Sequence, residues 1–472
     1  MTLGATSVPI DPVTIDAGWL AGTLTALVEA NQVPGAQLAV HSAGRTVAVE
    51  IGHLEHGTAI PVTRDTAFPI GSISKAWTAT LAMILVADGD LELDAPLEEH
   101  LPALGELGRL LTLEHLLSHT SGLPSSPEIP GLVNLSLPCY VRDHCRVRDL
   151  IFPPGTGFSY STRNYVLVAH LIETITGMSW LEAVESILLR PLGIEATTVG
   201  ATARARCGRP VATGHSVNAA VGRIRPVNQS SLVAAEAPAG ALAMSAVDLV
   251  ALGLLHTGPG VPELLPAPHA AQMRRAIPGA DPFGLADGWG AGLAVFRHAG
   301  REWVGHDGNA NGTACYLRID PANAVVVALT TNASTGSYLW EDLGAELGKV
   351  KLPLGAQRCG VPRQRPAAPP PGCAGSYSNS STEYLVIAGD DGHMYLANGD
   401  ELLARLAFHD EMVFALQDLA SGRELHRGRF LRDSTTGQVD HLQIGGRLAR
   451  RTHPPAEPAT RYPADPLSRQ PA

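Results

Sequence analysis

The residues with the clearest chemical potential are Gly71-Ser72-Ile73-Ser74-Lys75. Apolar residues recur at Ile73, Trp77, Leu81 and Ile84, so the segment opens a helix with one apolar face. On that helix Ser72 and Lys75 share a face, one turn apart and within side-chain reach. A serine hydroxyl is a weak nucleophile until a neighbouring base takes its proton. Lysine is such a base only when neutral, which requires desolvation or nearby positive charge. The helix N-terminus supplies partial positive charge, and the apolar helix implies burial. Taken alone, the same residues also describe a serine cap followed by a solvated lysine. Two further stretches carry candidates. Tyr160 follows the Gly-rich turn Pro154-Gly155-Thr156-Gly157-Phe158-Ser159, with Ser161 and Thr162 after it. His306 stands in Gly305-His306-Asp307-Gly308, just before a strand-like run at 313–319. Singly, they read as a packing tyrosine and a turn histidine. The order Ser-x-x-Lys, Tyr-Ser-x, His-x-Gly within one chain makes them a set.

The chain must supply elements that hold this set together. AQLAVHS (36–42) and TVAVEI (46–51) predict a hairpin through Ala43-Gly44-Arg45. TACYLRI (313–319) and AVVVALT (324–330) predict another, turning at 320–323, and GAGLAVF (290–296) predicts a further strand. Helical patterns fall at 74–88, 162–176, 180–190, 246–256 and 340–350. Strands from both ends of this region are expected to pair in one antiparallel sheet, with a helical lobe inserted between them. The Pro-rich stretch 356–372 reads as a linker and separates a first domain at 1–355 from a second at 373–452. In the second, short strand-like runs alternate with turn signals such as Asn398-Gly399-Asp400, which predicts a small antiparallel sheet or barrel. Residues 453–472 are Pro-rich and are expected to be a disordered tail.

Composition narrows the partners. The chain has 472 residues, 45% of them hydrophobic and 17% charged, enough for a large core. Lys and Arg number 34 against 45 Asp and Glu, a net charge of −11, which disfavours a nucleic acid or an anionic membrane. No apolar run approaches the ~18–20 residues that span a bilayer. The first basic residue is Arg45, so no positively charged segment precedes an apolar one at the N-terminus, and a cytoplasmic location is expected. Six cysteines include no C-x-x-C pair. Cys359 and Cys373 flank the Pro-rich stretch; a bridge there suits an oxidising compartment and free thiols suit the cytoplasm. His115 and His119 have metal-ligand spacing beside Glu114 but no third ligand nearby, His53 and His56 sit in an expected turn, and no metal is expected. No G-x-S-x-G, Walker A or dinucleotide fingerprint stands between strand and helix, and no cofactor is expected.

FPIGSISK (68–75), DGDLELDAPLEEHLP (88–102), LTLEHLLSHTSGLP (111–124), FPPGTGFSYSTRNY (152–165), PAGALAMSAVDLVAL (238–252) and VGHDGNANG (304–312) together resemble the serine β-lactamase and D-alanyl-D-alanine peptidase superfamily, in its class C-like branch. The resemblance covers roughly 20–350. It implies an α+β fold with an antiparallel sheet between helical layers. The C-terminal strands resemble the lipocalin-like β-barrel domains appended to some members. By resemblance, Ser72 attacks the substrate carbonyl, Lys75 and Tyr160 share the proton traffic in an order left open, and His306 stands where many relatives carry a lysine. The backbone N–H groups of Ser72 and Asn309 are the expected oxyanion hole, with Gly308 and Thr162 beside the substrate. One departure is plain: the family usually has Asn where this chain has Thr162, which puts efficient β-lactam or peptidoglycan recognition in doubt. The resemblance implies acyl transfer through a Ser72 acyl-enzyme. The first reading is a penicillin-binding-protein-type thioesterase that takes a nonribosomal peptide with a D-configured last residue from a carrier-protein thioester and cyclises it. The alternatives are a stand-alone esterase or D-amino-acid amidase, and a β-lactamase or DD-carboxypeptidase. Oligomeric state is left open.

Overall fold

The computed structural model describes residues 13–127, 134–200, 208–227, 232–354, 367–380, 382–398, 401–409, 412–419 and 422–452. The chain runs through α1 (Ala17–Ala30), β1 (Gly35–Ser42), β2 (Arg45–Gly52), α2 (Ile73–Asp88), α3 (Thr162–Thr176) and α4 (Ala246–Leu254). It returns through β3 (Gly288–Trp289), β4 (Ala294–His298), β5 (Arg301–Ala310), β6 (Thr313–Asp320), β7 (Val325–Thr331) and α5 (Gly336–Lys349). These strands form one antiparallel sheet in the order β2-β1-β7-β6-β5-β4-β3, so the two ends of the domain meet at β1 and β7.

Alternation along the strands fills two cores. Ala39, Val326, Ala328, Leu317 and Ile319 point toward α2, α3 and α4. Leu38, Val40, Val327, Leu329 and Tyr316 point toward α1 and α5, against Leu20, Leu24, Leu339 and Leu343. The β1–β2 turn uses Ala43 and Gly44, both at positive φ, which matches the twist of a two-residue hairpin. The sheet with helices on both faces is the α+β arrangement expected from the sequence.

A second body follows. The strands β8 (Gly375–Asn379), β9 (Thr382–Ala388), β10 (Met394–Asn398), β11 (Glu401–Phe408), β12 (Val413–Gln417), β13 (Glu424–Arg432), β14 (Val439–Ile444) and β15 (Arg447–Arg451) make a closed antiparallel barrel, with β15 returning to pair with β8. Tyr377, Phe408, Phe414 and Phe430 fill its interior.

Three local expectations are corrected. The strand expected at 290–296 begins only at Ala294, and residues 290–293 form the turn that precedes it: the Gly290 N–H donates to Leu293 O at 2.8 Å, and Gly292 sits at φ +86° where any side chain would collide with Ala79. The helix expected over 180–190 is a short α-turn, Trp180–Ala183, continued as a π-helical turn, Val184–Leu189. Two barrel strands, β11 and β15, were not anticipated. Among the described residues, no helix is long and apolar enough to cross a membrane. Most of the Pro-rich stretch, Cys207, Cys359 and the 453–472 tail lie outside the described residues; Cys373 is a buried thiol.

Candidate active site

Ser72 caps α2 in position only. Its side chain makes no capping hydrogen bond, which leaves the hydroxyl to Lys75. Lys75 Nζ lies 3.2 Å from Ser72 Oγ and donates to Ala239 O at 2.9 Å. The segment at 238–242 is laced to the same helix face, because Thr78 Oγ1 donates to Pro238 O and the Leu242 N–H donates to Ser74 Oγ. Lys75 is 2% exposed, so the solvated lysine is excluded. Burial, aided by the positive charge of Arg447 and opposed by Glu236, lowers its pKa to about 7. A primary amine with that pKa is half neutral at neutral pH and can take a serine proton.

Tyr160 completes this end of the site. Lys75 Nζ is 5.0 Å from its ring centroid. The Tyr160 hydroxyl is buried and closes no hydrogen bond of ordinary geometry among the described residues. Burial raises its pKa to about 12, although the Ser72 hydroxyl and Arg447 both pull it down. The group is therefore a phenol at neutral pH, a proton donor poised beside an amine base.

His119 holds Tyr160 from one side. Its carbonyl accepts the Ser159 N–H at 3.0 Å, its Nδ1 accepts the Ser161 N–H at 3.1 Å, and its ring lies 4.3 Å from the Tyr160 ring. Because Nδ1 accepts, the ring proton resides on Nε2. Burial holds the His119 pKa well below its usual range, with Lys75, His306 and Arg447 adding to that, so the ring is neutral. The pair weighed as metal ligands has other work: His115 closes a capping box with Thr112, and His119 brackets Tyr160.

The C-terminal barrel holds Tyr160 from the other side. The Tyr160 N–H donates to Gly446 O at 2.9 Å, and the Arg447 guanidinium stands 5.2 Å from the Tyr160 ring. Ser159 Oγ accepts from the Leu448 N–H and from Asn379 Nδ2. Asn379, fully buried, also accepts the Ser125 N–H at 2.7 Å. Arg429 adds an ion pair to Asp281 at 2.8 Å. The barrel is thus bonded into the segment that carries Tyr160.

His306 lies on β5 with its ring 6.2 Å from that of Tyr160 and edge-on to Trp289. Nδ1 donates to Asp307 O at 2.7 Å, which leaves Nε2 as a buried acceptor with no partner among the described residues. Burial, aided by Lys75, lowers its pKa to about 4. His306 is therefore neutral and does not replace the charge of a lysine. Asp307 is fixed by an ion pair with the buried Arg318.

A cavity of about 280 Å³ opens onto these groups, lined by Ser72, Lys75, Thr162, Glu236, Asn309 and neighbouring residues. A second of about 210 Å³, between the two bodies, shares Thr162 and adds Tyr160, Tyr384 and Arg447. Ser72 and Asn309 face one cavity, as the expected oxyanion pair requires. Gly308 does not line it. Its Cα lies against Ile70 O, and Gly71, at φ +50°, lies against the Asn309 backbone, so both glycines serve close approach of β5 to the start of α2. Sequence reasoning brought Ser72, Lys75, Tyr160, His306, Asn309 and Thr162 together. It missed His119 as a support for Tyr160, and it missed Arg447 and Glu236 entirely.

The chain is similar to known proteins. The chain is 33% identical over 367 residues to penicillin-binding protein 4 of Amycolatopsis lactamdurans, covering 75% of this chain and 95% of that protein. The crystal structure of SurE matches 92% of this chain and 98% of its own at 37% identity, with a TM-score of 0.80. The D-amino acid amidase of Ochrobactrum anthropi SV3 matches 71% of this chain and 97% of its own at 24% identity and a TM-score of 0.60, a likeness of fold. The Beta-lactamase family model matches residues 20–343, which include Ser72, Lys75, Tyr160 and His306, and the chain therefore belongs to the β-lactamase and penicillin-binding-protein family of serine hydrolases.

Proposed function

We propose that the protein is a thioesterase that receives a peptidyl group on Ser72 and releases it as a macrocycle. Neutral Lys75 takes the Ser72 proton as Oγ attacks the thioester carbonyl. The backbone N–H groups of Ser72 and Asn309 stabilise the oxyanion, each typically worth ~10²–10³ in rate. Tyr160 and Lys75 return a proton to the departing thiolate. An amine of the same peptide then attacks the Ser72 ester, and the serine leaves with a proton relayed back through Tyr160. The acyl donor in this reading is carried on a carrier protein, and every step uses the chain's own side chains.

The observation that carries the reading is the barrel bonded against Tyr160, which walls the smaller cavity that meets the Ser72 cavity at Thr162 and brings Arg447 to its edge. A wall that limits water favours an internal amine, whose effective molarity in a well-oriented reaction reaches ~10⁵–10⁸ M against ~55 M water. The match to SurE spans both bodies, and SurE has been solved with D-Leu, which supports a D-residue at the acyl position. Unguisins hydrolase from Aspergillus campestris, 28% identical over 58% of this chain and 54% of its own, is named for hydrolysis. Hydrolysis is therefore the competing outcome.

The test presents a linear peptidyl thioester ending in a D-residue, its L-epimer, and a simple ester. The D-thioester is expected to give macrocycle over linear acid, with the L-epimer much slower. Fast turnover of the ester, with both thioesters ignored or only hydrolysed, replaces the cyclase with an esterase or amidase. Rapid penicillin hydrolysis despite Thr162 favours the β-lactamase reading.

A further inference from the structure

The acyl-transfer groups leave one buried charge on the cavity wall unused. Glu236 is 8% exposed, and it and Lys75 are the charged side chains among the residues lining the Ser72 cavity. Its Oε1 accepts the Tyr140 hydroxyl at 2.7 Å, the hydrogen bond that the carboxylate makes among the described residues. A carboxylate has about four acceptor positions, so most of its capacity is unspent. Lys75 supplies only partial compensation. Its ammonium is committed to Ser72 and Ala239, and as a base it must be neutral. At that moment the carboxylate is the charge left among the described residues that line this cavity. A cation brought by the substrate would cancel it.

We propose that Glu236 is the docking point for the amine that accepts the acyl group, which arrives as an ammonium. The proposal rests on amine release as read above and names the acceptor's chemistry. The ammonium gives one proton to Glu236 and becomes a neutral amine. Nitrogen attacks the Ser72 ester carbon, the C–N bond forms, and the C–Oγ bond breaks. The second nitrogen proton passes through Lys75 and Tyr160 to Ser72 Oγ. Glu236 then returns its proton to solvent, leaving an amide, a free serine and a carboxylate.

The test uses the full chain, an amine-blocked D-alanyl thioester as donor, and benzylamine and benzyl alcohol as acceptors. The readout is the amide-to-ester product ratio, from which any general change in Lys75 cancels. Glu236→Gln keeps an acceptor for Tyr140 and removes the charge. It should lower the ratio at least about tenfold, while Glu236→Asp retains part of it. Amide formation by the unaltered protein should saturate with benzylamine, whereas ester formation rises linearly with the alcohol. A ratio unchanged in Glu236→Gln, or a linear dependence on benzylamine, overturns the proposal. Failure of the peptidyl thioester to cyclise would instead count against the cyclase and leave these ratios readable.

Discussion

The two sides of Tyr160 are built on different principles. On the catalytic-domain side, His119 is fully buried and neutral, and it grips the backbone on both flanks of the tyrosine. On the barrel side, the Gly445-Gly446 turn offers one backbone acceptor and delivers a partly exposed cation, Arg447. One side fixes position and adds no charge. The other adds charge from an appended body. An appended domain can therefore tune a site whose reactive atoms all lie elsewhere.

Breaking the His119 side should have the larger effect. His119→Ala removes the ring beneath Tyr160 and the acceptor for Ser161, and misplacement of about 1 Å can cost ~10²-fold in rate. The loss is expected in kcat, with KM little changed. His119→Asn keeps an acceptor near the Nδ1 position and suits the φ of +59° found there, so it should recover much of the loss. Equal losses in the two variants would mean that His119 only stabilises the fold.

Breaking the barrel side should shift a pH profile. Acylation needs neutral Lys75, so kcat/KM rises with pH through about 7. Arg447 lowers that pKa, and Arg447→Gln should let it rise. The acid limb then moves to higher pH, with a several-fold loss at pH 7 that closes by about pH 9. An unmoved limb would show that Arg447 exerts no field on Lys75.

The smallest effect on rate is expected at the joint between the bodies. Asn379→Ala leaves the Ser125 N–H and the Leu448 carbonyl without their partner. Each buried orphan costs about 1–3 kcal/mol, which should appear as a lower Tm and as earlier proteolysis between the barrel and the catalytic domain. An unchanged Tm would mean that water replaces the side chain.

Residues that do chemistry through local spacing were legible in the sequence. Ser72 and Lys75 share a helix face, so their approach follows from period 3.6 alone. Tyr160 and His306 were legible only as members of an ordered set. Arg447 was not, because it opens β15, whose sequence RLARR lacks the alternation of a half-buried strand. Elsewhere in the barrel, β11, ELLARLAF, is rich in good helix formers and takes its strand form from the barrel. Glu236 carries no local signal, since its importance lies in which cavity it faces. Gly308 misled for the opposite reason: its place in the motif reads as contact with substrate, while its cause is the approach of two backbones.

The central claim is a covalent acyl-enzyme at Ser72, and intact-mass measurement after brief exposure to an activated acyl donor tests it most directly. One adduct is expected on the unaltered chain, mapping to Ser72, and none on Ser72→Ala, whose turnover should fall at least ~10³-fold. Ser74 is fully buried and its hydroxyl accepts the Leu242 N–H, so it is not expected to substitute. An adduct that survives in Ser72→Ala, or that maps to Ser74, would contradict the account.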